Sequence, residues 1–400
     1  MTIGNFQSGY PTPDGITSAV QGLSEALLKQ GHQVVIYGYG PIDAQPTFQH
    51  VPGLRTLHFD SGLNPFRAPR PLLDRLEMNT DQLDILIIHG MFNAPNVSIG
   101  RSAMKGRIPY VICPHCPYHS TLLEKHRIRK NIYGTLFEKP LLRSASAVQV
   151  FCSKHADLLR TYGIESRIMI VPNGLDPLQV RPAQSSDPRM LSGDPKLLFL
   201  GRLDTHHKGL DLLIRGLGRA LRSGRIPATT VLTLVGPDDG DGAALRKLVR
   251  RENICAQVAF TGKAADPARW QILQSCDLFV LSSRYDGFAM AVTEAMMVGK
   301  PLLLSTETAN FHWIRDASCG FFAEPSVESI CHGLIEAIER RHEWTQMGER
   351  ARLFASEKLT WARAAVTAAE NYANLLETLN RKQLSGSFSG DAGINEYASN

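Results

Sequence analysis

KLLFLGRLDTHHKGLDLLIRGL (196–217) opens on an apolar run, crosses a short polar loop and ends in a stretch whose leucines recur at helical spacing. An unbroken apolar run of this length reads as a strand buried on both faces, as in parallel sheets covered by helices. The rhythm recurs in TVLTLVG (230–236), AQVAFTG (256–262), CDLFVLSS (276–283) and KPLLLS (300–305). It also runs through the first half: QVVIYG (33–38), DILIIHG (84–90), PYVICPH (109–115) and SAVQVFC (146–152). ITSAVQGLSEALLKQG (16–31) reads as a helix closed by Gly31. Strands alternating with helices predict an α/β chain with doubly wound sheets. The alternation pauses in VPNGLDPLQVRPAQSSDPRMLSGDP (171–195), which is rich in Pro, Gly, Ser and Asp. The expectation is two Rossmann-like domains, 1–174 and 175–380, facing a central cleft, with the last helix returning to the first domain. QLSGSFSGDAGINEYASN (383–400) is polar and rich in Gly and Ser, so 381–400 is expected to be a disordered tail.

Bulk properties agree. A chain of 400 residues suits two cores. No apolar run is long enough to span a bilayer, and MTIGNFQSGYPTPDG lacks the basic start and apolar core of a signal peptide. Seven scattered cysteines read as reduced thiols, which points to the cytoplasm. The net charge of +5 lies in the first half: residues 1–172 hold 17 Lys+Arg against 12 Asp+Glu, while 173–400 hold 26 of each. Much of that excess sits in LLEKHRIRKNIYGTLFEKPLLR (122–143), where Ile128, Ile132, Leu136 and Leu141 recur at roughly helical spacing beside Arg127, Arg129, Lys130 and Lys139. Such a helix either turns its apolar stripe into the core or lays it on an anionic surface, such as the inner membrane face.

In open α/β sheets ligands bind beyond the carboxyl ends of the strands. After strand 196–200, Gly201 allows a sharp turn, Arg202 stands at the strand exit and Lys208 precedes a helix beginning near Gly209. Two cations over a cleft suit a diphosphate, the planar guanidinium taking two oxygens and the ammonium adding a mobile charge. After strand 276–281, SSRYDGFAMAVTEAMMVGKP (282–301) predicts a helix from about Phe288 to Val298, with Asp286 just before it and Glu294 about two turns in. Its free N–H groups would favour a phosphate, and its carboxylates could accept from sugar or ribose hydroxyls.

G-R-L-D-T-H-H-K-G (201–209) and D-G-F-A-M-A-V-T-E-A-M-M-V-G-K-P (286–301) resemble the signature of the family 4 (group 1) nucleotide-sugar glycosyltransferases of the GT-B fold. VPNGLD (171–176) and FTGKAADPARWQILQSCDLFVLSS (260–283) resemble the family's interdomain and nucleobase-turn segments. PTPDGITSAV and VICPHCP resemble its first glycine loop and its strand-then-histidine segment. The resemblance implies retaining transfer of a sugar from a nucleotide diphosphate sugar to a glycan, lipid-linked or small-molecule acceptor, in cell-envelope or exopolysaccharide assembly. It implies that Arg202 and Lys208 neutralise the diphosphate, that Glu294 holds the ribose and that Asp286 contacts the transferred sugar. Backbone at Gly287, Phe288, Ala289 and Met290 would bind sugar and phosphate, with Gly201 at the strand exit beside them. Gly262 and Lys263 would meet the base, Gly15 and Ile16 would approach the phosphate, and His115 would lie near the reacting sugar. No cofactor or metal is required. Three positions depart from the pattern: Asp286 replaces a glutamate, Ala289 a common glycine, and Gly15 stands alone where two glycines are usual. A nucleotide-binding homologue without turnover, a nucleotide-sugar epimerase or a phosphorylase would use the same cleft.

VICPHCPYHS (111–120) carries a C-P-H-C box that admits a redox reading, a metal reading through Cys113, His115, Cys116 and His119, and a reading in which only His115 acts. A redox box opens a helix in a small thioredoxin fold, and zinc usually wants a second paired cluster, so the third is preferred. His119 is a second candidate for acceptor contact. D-G-D (239–241) imitates a metal motif but reads as a turn capping helix 243–252. G-L-G (216–218) sits inside a helical pattern, and no interleaving of aromatic and basic residues suggests nucleic acid.

Overall fold

Strands of the first domain are apolar because helices close over both faces. The computed structural model describes residues 1–10, 15–40, 51–60, 64, 66–115, 118–124, 126–177, 193–265 and 267–387. Within it, β1 (Thr2–Ser8), β2 (Gln33–Gly40), β3 (Arg55–Asp60), β4 (Ile85–His89), β5 (Tyr110–Cys113), β6 (Ala147–Val150) and β7 (Ile168–Ile170) form one parallel sheet. Its order is β3-β2-β1-β4-β5-β6-β7. A second parallel sheet, ordered β10-β9-β8-β11-β12-β13, comprises β8 (Lys196–Leu200), β9 (Val231–Val235), β10 (Val258–Gly262), β11 (Leu278–Leu281), β12 (Leu302–Ser305) and β13 (Gly320–Ala323). Both are doubly wound, and the order reverses between β1 and β4 and between β8 and β11. Loops leaving those strands diverge to opposite faces, which opens a crevice at each switch point.

All residues of β4, β5, β6, β11 and β12 are buried. Each fully buried Leu, Ile or Phe contributes about 1.5–3 kcal/mol over its exposed state. The central strand β1 differs, because it carries two polar residues, Asn5 and Gln7, among its buried ones, where β4, β6 and β12 carry one each. Gln7 donates to Thr17 Oγ1 at 2.7 Å and Asn5 to Ser24 Oγ at 3.3 Å, both partners lying on the covering helix Gly15–Lys29. A strand broken by two polar residues does not read as buried, and β1 is absent from the apolar runs quoted above for that reason. Edge strand β3 and the short β7 and β13 escape the same pattern.

The chain crosses between domains twice. Leu175 donates to the Leu359 carbonyl at 2.9 Å, and Trp361 donates to the Leu175 carbonyl at 3.3 Å. A Cβ on Gly174 would lie 2.2 Å from the Trp361 nitrogen, so only glycine lets the two crossings touch. Helix Trp361–Ser387 then returns to the first domain, burying Ala364, Ala365, Ala368, Tyr372 and Leu375 against Ile3, Leu23 and Leu27. It runs through Ser387, past residue 381 where a tail was expected; 388–400 lie outside the described residues. Most of the anticipated linker, 178–192, also lies outside them.

The basic stretch is helical in pieces: Ser120–Glu124, Arg127–Tyr133, a π-turn at Gly134–Glu138 and Lys139–Ser144. Ile128, Ile132 and Leu136 are exposed, at 76%, 56% and 61%, and only Leu141 of the expected stripe joins the core. The apolar stripe therefore does not turn into the core except at Leu141.

Candidate functional site

The loops leaving β8 and β11 are strapped together. Asp204 caps the short helix Thr205–Lys208, accepting from the His207 amide at 3.0 Å and from His207 Nδ1 at 2.6 Å. Asp241 accepts from the Thr205 amide at 2.7 Å and from its hydroxyl at 2.6 Å. Gly209 then turns the chain at φ 61°, and a Cβ there would lie 2.3 Å from the Ser282 carbonyl oxygen. From the other loop, Ser282 Oγ donates to the Lys208 and Gly209 carbonyls at 3.0 and 3.1 Å. Arg284 forks onto Asp211 at 2.7 and 2.8 Å, and its amide donates to the His207 carbonyl at 2.8 Å.

This strapping brings Lys208 Nζ to 2.5 Å from Asp286 Oδ2, on two largely buried side chains. Arg202, half-exposed, pairs with Asp239 and lies 4.0 Å from Asp204. The helix after β11 is Met290–Met297, two residues shorter at its start than expected, with Ala289 as N-cap. The Ala289 amide donates to Asn310 Oδ1 at 3.0 Å, so of the four backbone positions proposed for the ligand this one is already engaged. Glu294 is buried, 3.1 Å from Arg269. Gly262 and Lys263 stand exposed at the end of edge strand β10, two strands from β8, and Gly15 and Ile16 open the helix after β1. Among the described residues, no hydrogen bond or ion pair joins these four to the Lys208–Asp286 pair.

The D-G-D stretch has structural duties. Asp238, rather than Asp241, accepts the Gly240 and Gly242 amides, at 2.9 and 2.8 Å, where helix Gly242–Glu252 begins. Asp239 and Asp241 serve Arg202 and Thr205. The G-L-G glycines lie buried inside helix Leu210–Arg222.

On the opposite lip, His115 follows β5 with φ 59°, a left-handed conformation uncommon for a residue with a side chain. Its Nε2 lies 2.8 Å from His89 Nδ1, and His89 Nε2 lies 3.0 Å from Asn5 Oδ1. Desolvation pushes the His115 imidazole down to about 3 and holds His89 well below its ordinary value. Cys113 is buried and its thiol is pushed up to about 12, the opposite of an activated redox cysteine. Cys116 lies outside the described residues. His119 stands apart, stacked on Tyr285 at 4.2 Å and 3.6 Å from Glu307, so it does not complete a metal set with Cys113 and His115. Among the described residues, the cluster of metal-ligand types that does form is His89, Cys113 and His115.

The two lips touch. His115 packs on Phe151, Phe151 on Phe288 and Phe288 on Trp313, each pair of centroids 5.4 Å apart. Lys154 Nζ donates to the Thr306 carbonyl at 3.2 Å and to Glu307 Oε2 at 2.9 Å. Asn5, His89, Asp204, Arg269, Arg284 and Asn310 were not singled out from the sequence. His89 alone carried a signal, at the end of the apolar run DILIIH, the place His115 holds after its own strand.

Two doubly wound parallel sheets of seven and six strands, each with its switch-point loops at the cleft, have the architecture of the GT-B class. The chain belongs to the family 4, group 1 glycosyltransferases: the model described as Glycosyltransferase Family 4 matches residues 13–178, and that of Glycosyl transferases group 1 matches 180–354. It is 32% identical to a mannosylfructose-phosphate synthase of Agrobacterium fabrum over 42% of this chain, spanning only 39% of that relative's length. Its fold is similar to that of sucrose-phosphate synthase from Thermosynechococcus elongatus (TM-score 0.76, 20% identity, 94% of this chain and 99% of the other). It is also similar to Anabaena HepE solved with UDP and glucose (TM-score 0.71, 18% identity, 94% and 100%). No helix among the described residues is long and apolar enough to cross a membrane.

Proposed function

We propose that the chain transfers a sugar, with retention, from a nucleotide diphosphate sugar to an acceptor at an anionic membrane surface on the cytoplasmic side, in envelope or exopolysaccharide assembly. The observation that carries the donor site is the Lys208–Asp286 pair at the β8–β11 switch point, with Arg202 on the same loop as Lys208 and helix Met290–Met297 opening soon after Asp286. Without ligand, each charge of the pair neutralises the other. A diphosphate entering the crevice would draw Lys208 and Arg202 to its oxygens, releasing Asp286 to the sugar hydroxyls. Breaking the anomeric bond puts charge on the leaving diphosphate, and these cations with the free amides at the helix start would stabilise it. Glu294, positioned by Arg269, would accept the ribose hydroxyls. In this reading attack comes from the face the diphosphate leaves, a phosphate oxygen takes the acceptor proton, and His115 and Asp286 position the sugar without reacting. No metal enters the mechanism. The membrane component rests on Ile128, Ile132 and Leu136, exposed beside Arg127, Arg129 and Lys130.

The test is a thermal-shift panel with UDP, GDP, ADP and CMP on the wild type and Arg202→Ala, since a ligand of the folded state raises its melting point. One nucleoside diphosphate should stabilise the wild type and fail to stabilise the variant. Transfer assays with sugars on that nucleotide follow, the anomeric configuration of the product being read by NMR. Absence of any nucleotide stabilisation, or wild-type turnover in Arg202→Ala, would remove the donor-site reading. Binding without turnover would favour the inactive homologue, and a changed sugar released without acceptor would favour an epimerase.

A further inference from the structure

A polar chain runs from Ser24 on the first helix through Asn5 in β1 and His89 at the end of β4, all three buried, to the half-buried His115 after β5. Asn5 Nδ2 donates to Ser24 Oγ at 3.3 Å, which turns Asn5 Oδ1 toward His89 Nε2 at 3.0 Å. An amide oxygen can only accept, so His89 carries its proton on Nε2. Both imidazoles are kept neutral by burial. His89 Nδ1 is therefore a bare lone pair, and the atom 2.8 Å away, His115 Nε2, must be the donor.

We propose that Asn5 and His89 are positioning residues that lock His115 in its Nε2–H tautomer, leaving Nδ1 as a pure hydrogen-bond acceptor for a hydroxyl of the bound sugar. The inference rests on the reading of His115 as the residue nearest the reacting sugar. An acceptor-only imidazole selects a hydroxyl pointing at it and repels a carbonyl or carboxylate oxygen in the same place. The left-handed backbone of His115 fits this picture, because it bends the ring back to His89 rather than letting it follow the strand.

The same cluster could be read as a metal site, since the ligand atoms of His89, Cys113 and His115 lie within 4.8 Å of one another. Two imidazole nitrogens sharing a tetrahedral ion at about 2.0–2.1 Å each would stand roughly 3.3 Å apart. The observed 2.8 Å is a hydrogen-bond distance, and the buried, protonated thiol of Cys113 is a poor ligand.

The experiment is a two-bond 1H–15N correlation spectrum of histidine-labelled full-length protein without ligand. The chain holds 13 histidines, so peaks are assigned by their loss in His89→Gln and His115→Gln. Both rings should show the neutral Nε2–H pattern from pH 5.5 to 8.5. In Asn5→Ala, the His115 nitrogens should move toward the average of the two tautomers while the other assigned histidines stay in place. A His115 protonated on Nδ1, a charged His115 within that range, or an unchanged His115 in Asn5→Ala would overturn the proposal. So would Zn2+, at one equivalent, shifting both rings together. Because the spectrum needs no substrate, its result stands apart from that of His115→Ala in a transfer assay: inactivity there supports the site reading, and full activity removes it without touching the tautomer.

Discussion

Asp81 shows how much one side chain can hold. Its carboxylate is buried and accepts from Arg75 at 2.5 and 2.9 Å, from Arg55 at 2.8 Å and from Tyr37 Oη at 2.7 Å. Burial alone would raise its pKa, but the hydrogen bonds from Arg75, Tyr37 and Arg55 outweigh it and hold the group at about 2. A depressed folded value means the stabilisation is present above the unfolded value of about 4 and is lost as pH falls toward 2. Asp81→Asn should destabilise the fold by about 1.5–3 kcal/mol at neutral pH, since it weakens the charge-assisted hydrogen bonds from Arg75 and Arg55, whose partly exposed guanidiniums can turn to water instead. Urea unfolding should show that gap narrowing between pH 4 and 2; a gap independent of pH would assign the loss to packing. Gly209 is the second test at this scale. Gly209→Ala forces a Cβ against the Ser282 carbonyl in a left-handed residue, and should cost about 1–2 kcal/mol from backbone strain alone. It should also weaken nucleotide binding by displacing the neighbouring Lys208 from the crevice; an unchanged nucleotide-induced shift in melting temperature would contradict that role.

At the scale of elements, what could be read from the sequence followed hydrophobic periodicity closely. β4, β5, β6, β11 and β12 are buried throughout, carry at most one polar residue each and were expected within a residue or two of their bounds. Lys208, Asp286 and Glu294 lie beside such strands, and the placement of their loops was legible for that reason. β1 was not, because Asn5 and Gln7 interrupt it, and the partners that make them tolerable come from a helix ten or more residues away. His89 stood visibly at the end of an apolar run, but its significance lies in the atoms it touches, on Asn5 in β1 and on His115 just after β5. The basic helix was ambiguous in the sequence because a helical stripe looks alike whether it faces core or solvent. With Ile128, Ile132 and Leu136 outward, the triple change Ile128→Gln, Ile132→Gln, Leu136→Gln should abolish sedimentation with phosphatidylglycerol vesicles while leaving the melting temperature within about 2 °C, as surface substitutions away from packed contacts usually fall within ±0.5 kcal/mol. Binding by the wild type should weaken with salt. Equal binding by wild type and variant would place the contact elsewhere.

At the scale of the whole molecule, the lips of the cleft are joined by the ring column His115–Phe151–Phe288–Trp313 and by Lys154 with Glu307. Lys154→Ala should widen the distribution of interdomain distances seen by small-angle scattering and leave each core intact, the ion pair being partly exposed. No change in scattering would mean that the rings suffice. The two crossings near 175 and 360 also bear on biogenesis. Helix Trp361–Ser387 completes the apolar face formed by Ile3, Leu23, Leu27 and Met169. While the ribosome is still making the second domain, that face has no cover, although every strand of the first sheet has been synthesised. The first domain is therefore the last to be finished, and a chain halted at residue 360 should fold its second sheet yet bind a chaperone through the first.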